Sequence, residues 1–241
     1  MSEHDPFVVH RDDHLLVLFK PARLPTTHPR GGDCLVGRAA GLDPSAPKLH
    51  ATSRLDAEVT GLVTFARTEA ANTALRAARR AEAYHRLYLA LANAPLAGPA
   101  RWTEAIAIDP ADPRRRVVGE GASAKAATTL VAPRAEAGSL TLLELRPQTG
   151  RTHQLRVHAG AHGLPLFGDV HYGGAKRAVL PNGRVLTARR TMLHCAALGL
   201  PSIGGGAPLD LRCEPPRDFA GLWTGAGGDE SRLAPGDAQP K

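Results

Sequence analysis

The sequence predicts an α+β fold built on a mixed, mainly antiparallel β-sheet with flanking helices. Three observations carry this. Short apolar runs of strand length outnumber the helical patterns. The helical patterns fall between them without regular strand–helix alternation, which argues against a doubly wound parallel sheet. At 241 residues and 43% hydrophobic side chains, the chain has enough apolar material for one substantial core. The expected organisation is one domain over residues 1–223 and a loose tail over 224–241, where Gly, Asp, Pro and Gln replace apolar spacing.

Taken in order, Phe7–His10 and Leu15–Phe19 read as strands around a polar break at Arg11–His14, the second ended by Pro21. An irregular stretch follows, with Pro25, Pro29 and Gly31-Gly32. Gly61–Ala66 (GLVTFA) is a strand, and Thr68–Glu82 has the Ala and Arg content of a helix with Leu75 on its apolar side. Leu87–Ala92 is a short strand. Trp102–Ile108 alternates weakly, and Pro110–Arg116 is a loop with a basic run. Ala126–Val131 and Leu140–Leu145 pair as strands across a turn at Glu136–Gly138. Thr152–His162 is a second helix, ended by Gly163 and Pro165. Leu193–Leu200 is a late strand, and Gly204–Gly206 is a plain turn.

Composition excludes several classes. No apolar run approaches the ~20 residues of a membrane span. The acidic start MSEHDPFVVHRDDH lacks the basic and apolar regions of a signal peptide. Cys34, Cys195 and Cys213 are odd in number and irregular in spacing, matching neither a disulfide framework nor a zinc site. The expectation is a cytoplasmic monomer without cofactor or metal. A net charge of +7 and a pI near 9.8 suit a polyanionic partner, since each neutralised phosphate releases a condensed counterion. An Arg- and Ala-rich composition explains the same numbers equally well.

Three segments carry chemistry. Ser53-Arg54-Leu55-Asp56 sets a carboxylate beside a cation, just before Thr60-Gly61-Leu62. That suits a positioned nucleophile kept ionised, and equally a surface ion pair. Tyr84-His85-Arg86-Leu87-Tyr88 holds two of the three tyrosines. Tyr88 suits stacking on a base or moving a proton, and equally a core tyrosine with a satisfied hydroxyl. The densest segment is Thr149-Gly150-Arg151-Thr152-His153-Gln154-Leu155-Arg156-Val157-His158, with Gly168-Asp169 and Tyr172-Gly173 beyond it. Gly150-Arg151-Thr152 offers a bend, a cation and backbone amides at a helix start, and Arg156 is placed to reach the Asp56 carboxylate. His158 and His162 have a metal-like spacing, but without a third ligand or the glutamate of an HExxH motif.

These segments resemble the RluA-type RNA pseudouridine synthase family. Arg54-Leu55-Asp56 with Gly61-Leu62 is similar to its HRLDxxTSGL segment, Arg86–Ala90 to its KxYxA segment, and TGRTHQLRVH with Gly163-Leu164-Pro165 and Gly168-Asp169 to its third motif. Asp13–Leu16 with Lys20-Pro21, Lys125–Thr128 and Leu193–Ala196 are lesser echoes. All occur in the family's order over roughly residues 7–200. The resemblance implies a single catalytic domain with a central RNA-binding cleft, acting on uridines of rRNA or tRNA. It implies Asp56, Tyr88 and Arg156 as catalytic residues, with Arg54, Arg151, His153 and Gln154 binding substrate. It further implies that Arg156 keeps Asp56 ionised, Tyr88 stacks on the uracil, Arg54 fills the space left by the flipped nucleotide, and Arg114–Arg116 with Arg151 hold phosphates.

Ser53, Val59-Thr60 and Arg86 depart from the family's His, Thr-Ser and Lys. They leave a catalytically silent RNA-binding paralogue as the alternative. A glycosidase would need a second carboxylate facing Asp56, for which Asp169 is the candidate.

Overall fold

The computed structural model describes residues 5–28, 31–46, 48–205 and 207–238. Pro29, Gly206 and residues 1–4 and 239–241, read above within a loop, a turn and the two ends, lie outside that set. In chain order the elements are β1 (Phe7–Arg11), β2 (Leu15–Lys20), α1 (Leu35–Leu42), β3 (His50–Ala51), β4 (Thr60–Ala66), α2 (Glu69–Arg80) and β5 (His85–Ala92). Then come β6 (Ala100–Trp102), β7 (Ile106–Ile108), β8 (Arg116–Val118), β9 (Thr129–Ala137), β10 (Leu140–Pro147) and α3 (Gln154–Ala161). The last are β11 (Arg177–Val179), β12 (Val185–Thr187), β13 (Leu193–Leu200), β14 (Leu209–Arg212) and α4 (Arg217–Gly225), with 3₁₀ turns at Val170–Tyr172 and Glu230–Leu233. The class is α+β, and its strand pairs are antiparallel except for β4 with β13 among those described below.

The chain forms two compact units. The first holds Met1–Arg86, His194–Pro216 and Pro235–Lys241. Its strands run β1-β2-β4-β13, with β3 added to β4 and β14 to β13. All of β2 and β4 is buried, which is why LLVLF and GLVTFA read as continuous apolar runs rather than alternating ones. The parallel step pairs His194 with Thr60 and Cys195 with Gly61. A Cβ on Gly61 (φ 115°) would lie 2.2 Å from the Cys195 carbonyl oxygen, so only glycine permits this approach. Helix α2 starts where expected: Thr68 caps it by accepting from the Ala71 N–H, and Ala71, Leu75 and Ala78 form its buried stripe.

The second unit holds Leu87–Leu193 and Arg217–Ala234. Its antiparallel strands run β5-β10-β9-β6. Strand β9 starts three residues after the expected Ala126 and continues to Ala137, because the positive φ (56°) that reverses the chain belongs to Gly138 alone. Pro133 is accommodated at the bulge opposite Leu142 and Leu143. The expected Trp102–Ile108 segment is two strands: Trp102 pairs with Thr129, whereas Ile106 pairs with Val118 in β8.

The loose tail is corrected. Over its described residues, the Trp223 indole donates to the Asp229 carbonyl at 2.9 Å, Asp229 caps the last 3₁₀ turn, and Leu233 and Ala238 are buried. Arg134 donates to the Ala234 carbonyl, and Arg212 pairs with Asp237. Caps and a fully buried tryptophan fix this segment despite its polar composition.

Candidate active site

In the first unit, Arg54–Asp56 lies in the irregular segment between β3 and β4. Backbone bonds hold it on both sides. The Thr26 hydroxyl donates to the Leu55 carbonyl (2.8 Å) and accepts from the Leu55 N–H (3.0 Å). The Ser53 hydroxyl accepts the Thr64 N–H at 2.8 Å. Lys20 is fully buried, and its ammonium donates to the carbonyls of Pro21, Leu24 and Ala57 at 2.8, 2.7 and 3.1 Å. A turn from the Asp56 carbonyl to the Val59 N–H (3.1 Å) then leads into β4. Asp56 is half-buried and Arg54 is exposed, so the loop presents both side chains from a backbone that is tied down. Below it, the His194 ring bridges the Thr60 hydroxyl (2.9 Å) and the Cys213 carbonyl (2.9 Å). The carbonyl only accepts, so Nε2 carries the proton and Nδ1 accepts from Thr60.

In the second unit, the start of α3 gathers Arg151, His153, Gln154 and Arg156. His153 has φ 57° and caps the helix from outside it, which moves the helix start from the expected Thr152 to Gln154. The Gln154 amide oxygen accepts from the Thr149 hydroxyl (2.7 Å) and the Arg151 N–H (3.0 Å). Its NH₂ donates to the Thr128 carbonyl (2.9 Å) and the Thr129 hydroxyl (3.0 Å). These four bonds fill a buried side chain's capacity, and they tie the loop before α3 to the start of β9. Helix α3 ends as expected at Gly163 (φ 69°), with Leu164 N–H on the Ala159 carbonyl.

Arg156 is buried, and its guanidinium donates to both carboxylate oxygens of buried Asp169 at 2.7 and 2.8 Å. Asp169, the candidate second carboxylate of a glycosidase, is thereby bound through both oxygens to Arg156. The Tyr172 ring lies 5.0 Å from the Arg156 guanidinium and 5.7 Å from that of Arg115. Its hydroxyl accepts the Arg116 N–H (3.1 Å) and lies 2.7 Å from His153 Nδ1. Tyr88, in β5, is buried opposite Leu145 of β10. Arg151 is exposed and donates to the Ala126 carbonyl at 2.8 Å.

Two other expectations change in detail. Arg114 is bound by Asp112, which it holds down to about 2, and Arg116 donates to the carbonyls of Pro113 and Arg115. The basic run is therefore partly neutralised by its own loop. His158 is buried between the Thr129 hydroxyl and the Glu104 carbonyl, while His162 binds the Glu104 carboxylate at 3.0 Å. Burial pushes the His158 pKa down, and the bond from His162 pulls the Glu104 pKa down. Lys20 and Thr26 are the supporting residues that spacing did not single out. Lys20 was signalled by the Lys20-Pro21 echo of the family pattern and by its place at the end of an apolar strand; Thr26 offered no signal.

Residues 14–161 match the family model described as RNA pseudouridylate synthase. Ribosomal large subunit pseudouridine synthase D of Xanthomonas campestris pv. campestris is 33% identical over 240 residues, spanning 94% of this chain and 71% of that protein. The dual-specificity RNA pseudouridine synthase RluA of Yersinia pestis is 31% identical over 212 residues, spanning 86% and 98%. Among solved structures, the human protein RNA Pseudouridylate Synthase Domain Containing 1 superposes with a TM-score of 0.71 at 22% identity, over 100% of this chain and 93% of that one. That last likeness is one of fold.

Proposed function

The chain belongs to the RNA pseudouridylate synthase family, whose members are isomerases acting on RNA, and from that premise we propose that Asp56 is its catalytic carboxylate. The supporting observation is the Arg54-Leu55-Asp56 loop itself: a half-buried carboxylate on a backbone fixed by Thr26, Ser53 and Lys20. The reaction breaks the bond from ribose C1′ to uracil N1, turns the base, joins C1′ to C5, and moves the C5 proton to solvent while N1 gains one. It is redox-neutral and needs an ionised carboxylate beside the ribose, either attacking it or shuttling its proton.

On the same motifs, Tyr88 stacks on the uracil, Arg54 enters the space left by the flipped nucleotide, and Arg156 supplies the cation that keeps the reacting carboxylate ionised. Arg151 and His153 are assigned to the RNA at the exposed start of α3. The substrate class is rRNA or tRNA, with rRNA favoured by the name of the Xanthomonas relative. The working form is taken as a cytoplasmic monomer. Tritium release from [5-³H]uridine-labelled total RNA tests the activity: release is expected, and its absence from folded protein supports a silent paralogue. Arg156→Met should lower the rate and move the acidic limb of the pH–rate profile upward. An unmoved limb would remove the electrostatic role given to Arg156.

A further inference from the structure

Between Val170 and Leu209 the chain contains five Lys or Arg residues (Lys176, Arg177, Arg184, Arg189 and Arg190) and neither Asp nor Glu. This stretch includes the ribbon β11–β12, which pairs Arg177 with Thr187 and Val179 with Val185. The two faces differ sharply. Leu186, Ala188 and Arg190 are buried, whereas Val185, Thr187 and Arg189 between them are exposed. On the facing strand Ala178 is buried, while Arg177 and Val179 are exposed. Period-two alternation thus places Arg177, Val179, Val185 and Thr187 on one open face, with Arg189 exposed just past the end of β12. Val179 and Val185 are 66% and 50% exposed, an unusual cost for a β-branched pair unless something covers it.

The inner face is anchored. Buried Arg190 binds Asp218 of α4 through two bonds of 2.7 and 2.8 Å, so that acid is already neutralised. At its base the ribbon joins the loop that holds Arg156. Gly168 N–H donates to the Ala175 carbonyl (2.8 Å), and Ala188 N–H donates to the Lys176 carbonyl (2.8 Å). A Cβ on Gly168 would lie 1.9 Å from the Arg190 carbonyl oxygen. The next residue, Asp169, grips Arg156.

We propose that the open face of the β11–β12 ribbon is a docking surface for the sugar–phosphate backbone of the RNA substrate, outside the catalytic motifs. This rests on the reading of the chain as an RNA-modifying enzyme. Charge decides the partner class: Lys176, Arg177 and Arg189 are exposed cations on an acid-free segment, suited to a polyanion. The mode is backbone contact, because the deep, narrow major groove of an A-form helix excludes a ribbon from base edges. The valine pair lies against ribose while the cations flank it on phosphate. The shared loop with Asp169 then sets the register of bound RNA relative to Arg156.

The test uses the full chain and the double variant Arg177→Ala/Arg189→Ala, with a charge-preserving Arg177→Lys/Arg189→Lys control. Binding of poly(U) is followed against salt, and tritium release from labelled total RNA is followed against RNA concentration. The alanine pair should flatten the log–log salt slope by roughly 0.7 per lost contact, about five-fold in affinity for each at 0.1 M salt. KM should rise with kcat unchanged, and the lysine pair should restore both slope and KM. A wild-type slope and KM in the alanine pair would overturn the proposal, as would a fall in kcat alone. So would loss of binding to phosphatidylglycerol vesicles with RNA binding intact. Wild-type protein that releases no tritium counts against the enzymatic reading instead, and the poly(U) slope still decides the ribbon.

Discussion

Arg156 is a guanidinium taken almost wholly out of water, and such a charge persists only when its partner is equally fixed. Asp169 is that partner, through two parallel bonds. Asp169→Asn should therefore cost about 2–3 kcal/mol, because it replaces two charge-assisted bonds to a buried cation by a weaker contact with a neutral amide. Urea unfolding measures it, and a loss under about 1 kcal/mol would mean that the pair contributes little to the fold. Ser53 is the smaller case. It replaces the family's histidine, and its hydroxyl holds the Thr64 N–H, so Ser53→Ala should lower stability by about 1 kcal/mol. Ser53→His removes the same bond and should change which uridines are modified more than it changes the maximal rate. Identical pseudouridine maps from cells carrying each version would show the position to be neutral for specificity.

Among the elements, those whose residues follow one physical rule were legible in the sequence. Strands β2, β4 and β13 are mostly apolar and buried along their whole length, and α2 carries its cap, dipole-matched ends and buried stripe. Helices α1 and α4 were not, because each contains two glycines that mask a buried pair, Leu35 with Ala39 and Phe219 with Trp223. The ribbon β11–β12 was hidden by strands of three residues. At the site, motif residues were legible and their supports were not: nothing local in the sequence tells that Thr26 meets Leu55. Gly61→Ala should disrupt the β4–β13 step, costing more than about 3 kcal/mol given backbone contact on both sides. Wild-type thermal stability in that variant would refute the close approach.

Helix α3 also carries a pH dependence. His158 has its pKa lowered by burial, so the unfolded chain takes up a proton first. Its contribution to stability is full above about 6.5 and is lost as pH falls below that value toward the folded pKa. Glu104 is also lowered, but its contribution is lost only at more acidic pH, below the ordinary carboxylate value. Urea midpoints should fall between pH 7.5 and 5.5, and His158→Gln should flatten that fall. An equal fall in both proteins would assign the effect to another group.

For the whole molecule, a net charge of +7 and membership of an RNA-modifying family separate two tasks. On the proposed reading, arginines distributed over the surface hold the polyanion, and one carboxylate, Asp56, does the chemistry. Affinity and turnover should then respond to different residues. The most direct measurement is tritium release by Asp56→Asn alongside its affinity for the same RNA. The amide keeps the size of the carboxylate and removes its charge. Turnover should fall to or near background, with RNA affinity close to that of the unmodified protein. Substantial turnover by a folded Asp56→Asn protein would contradict it.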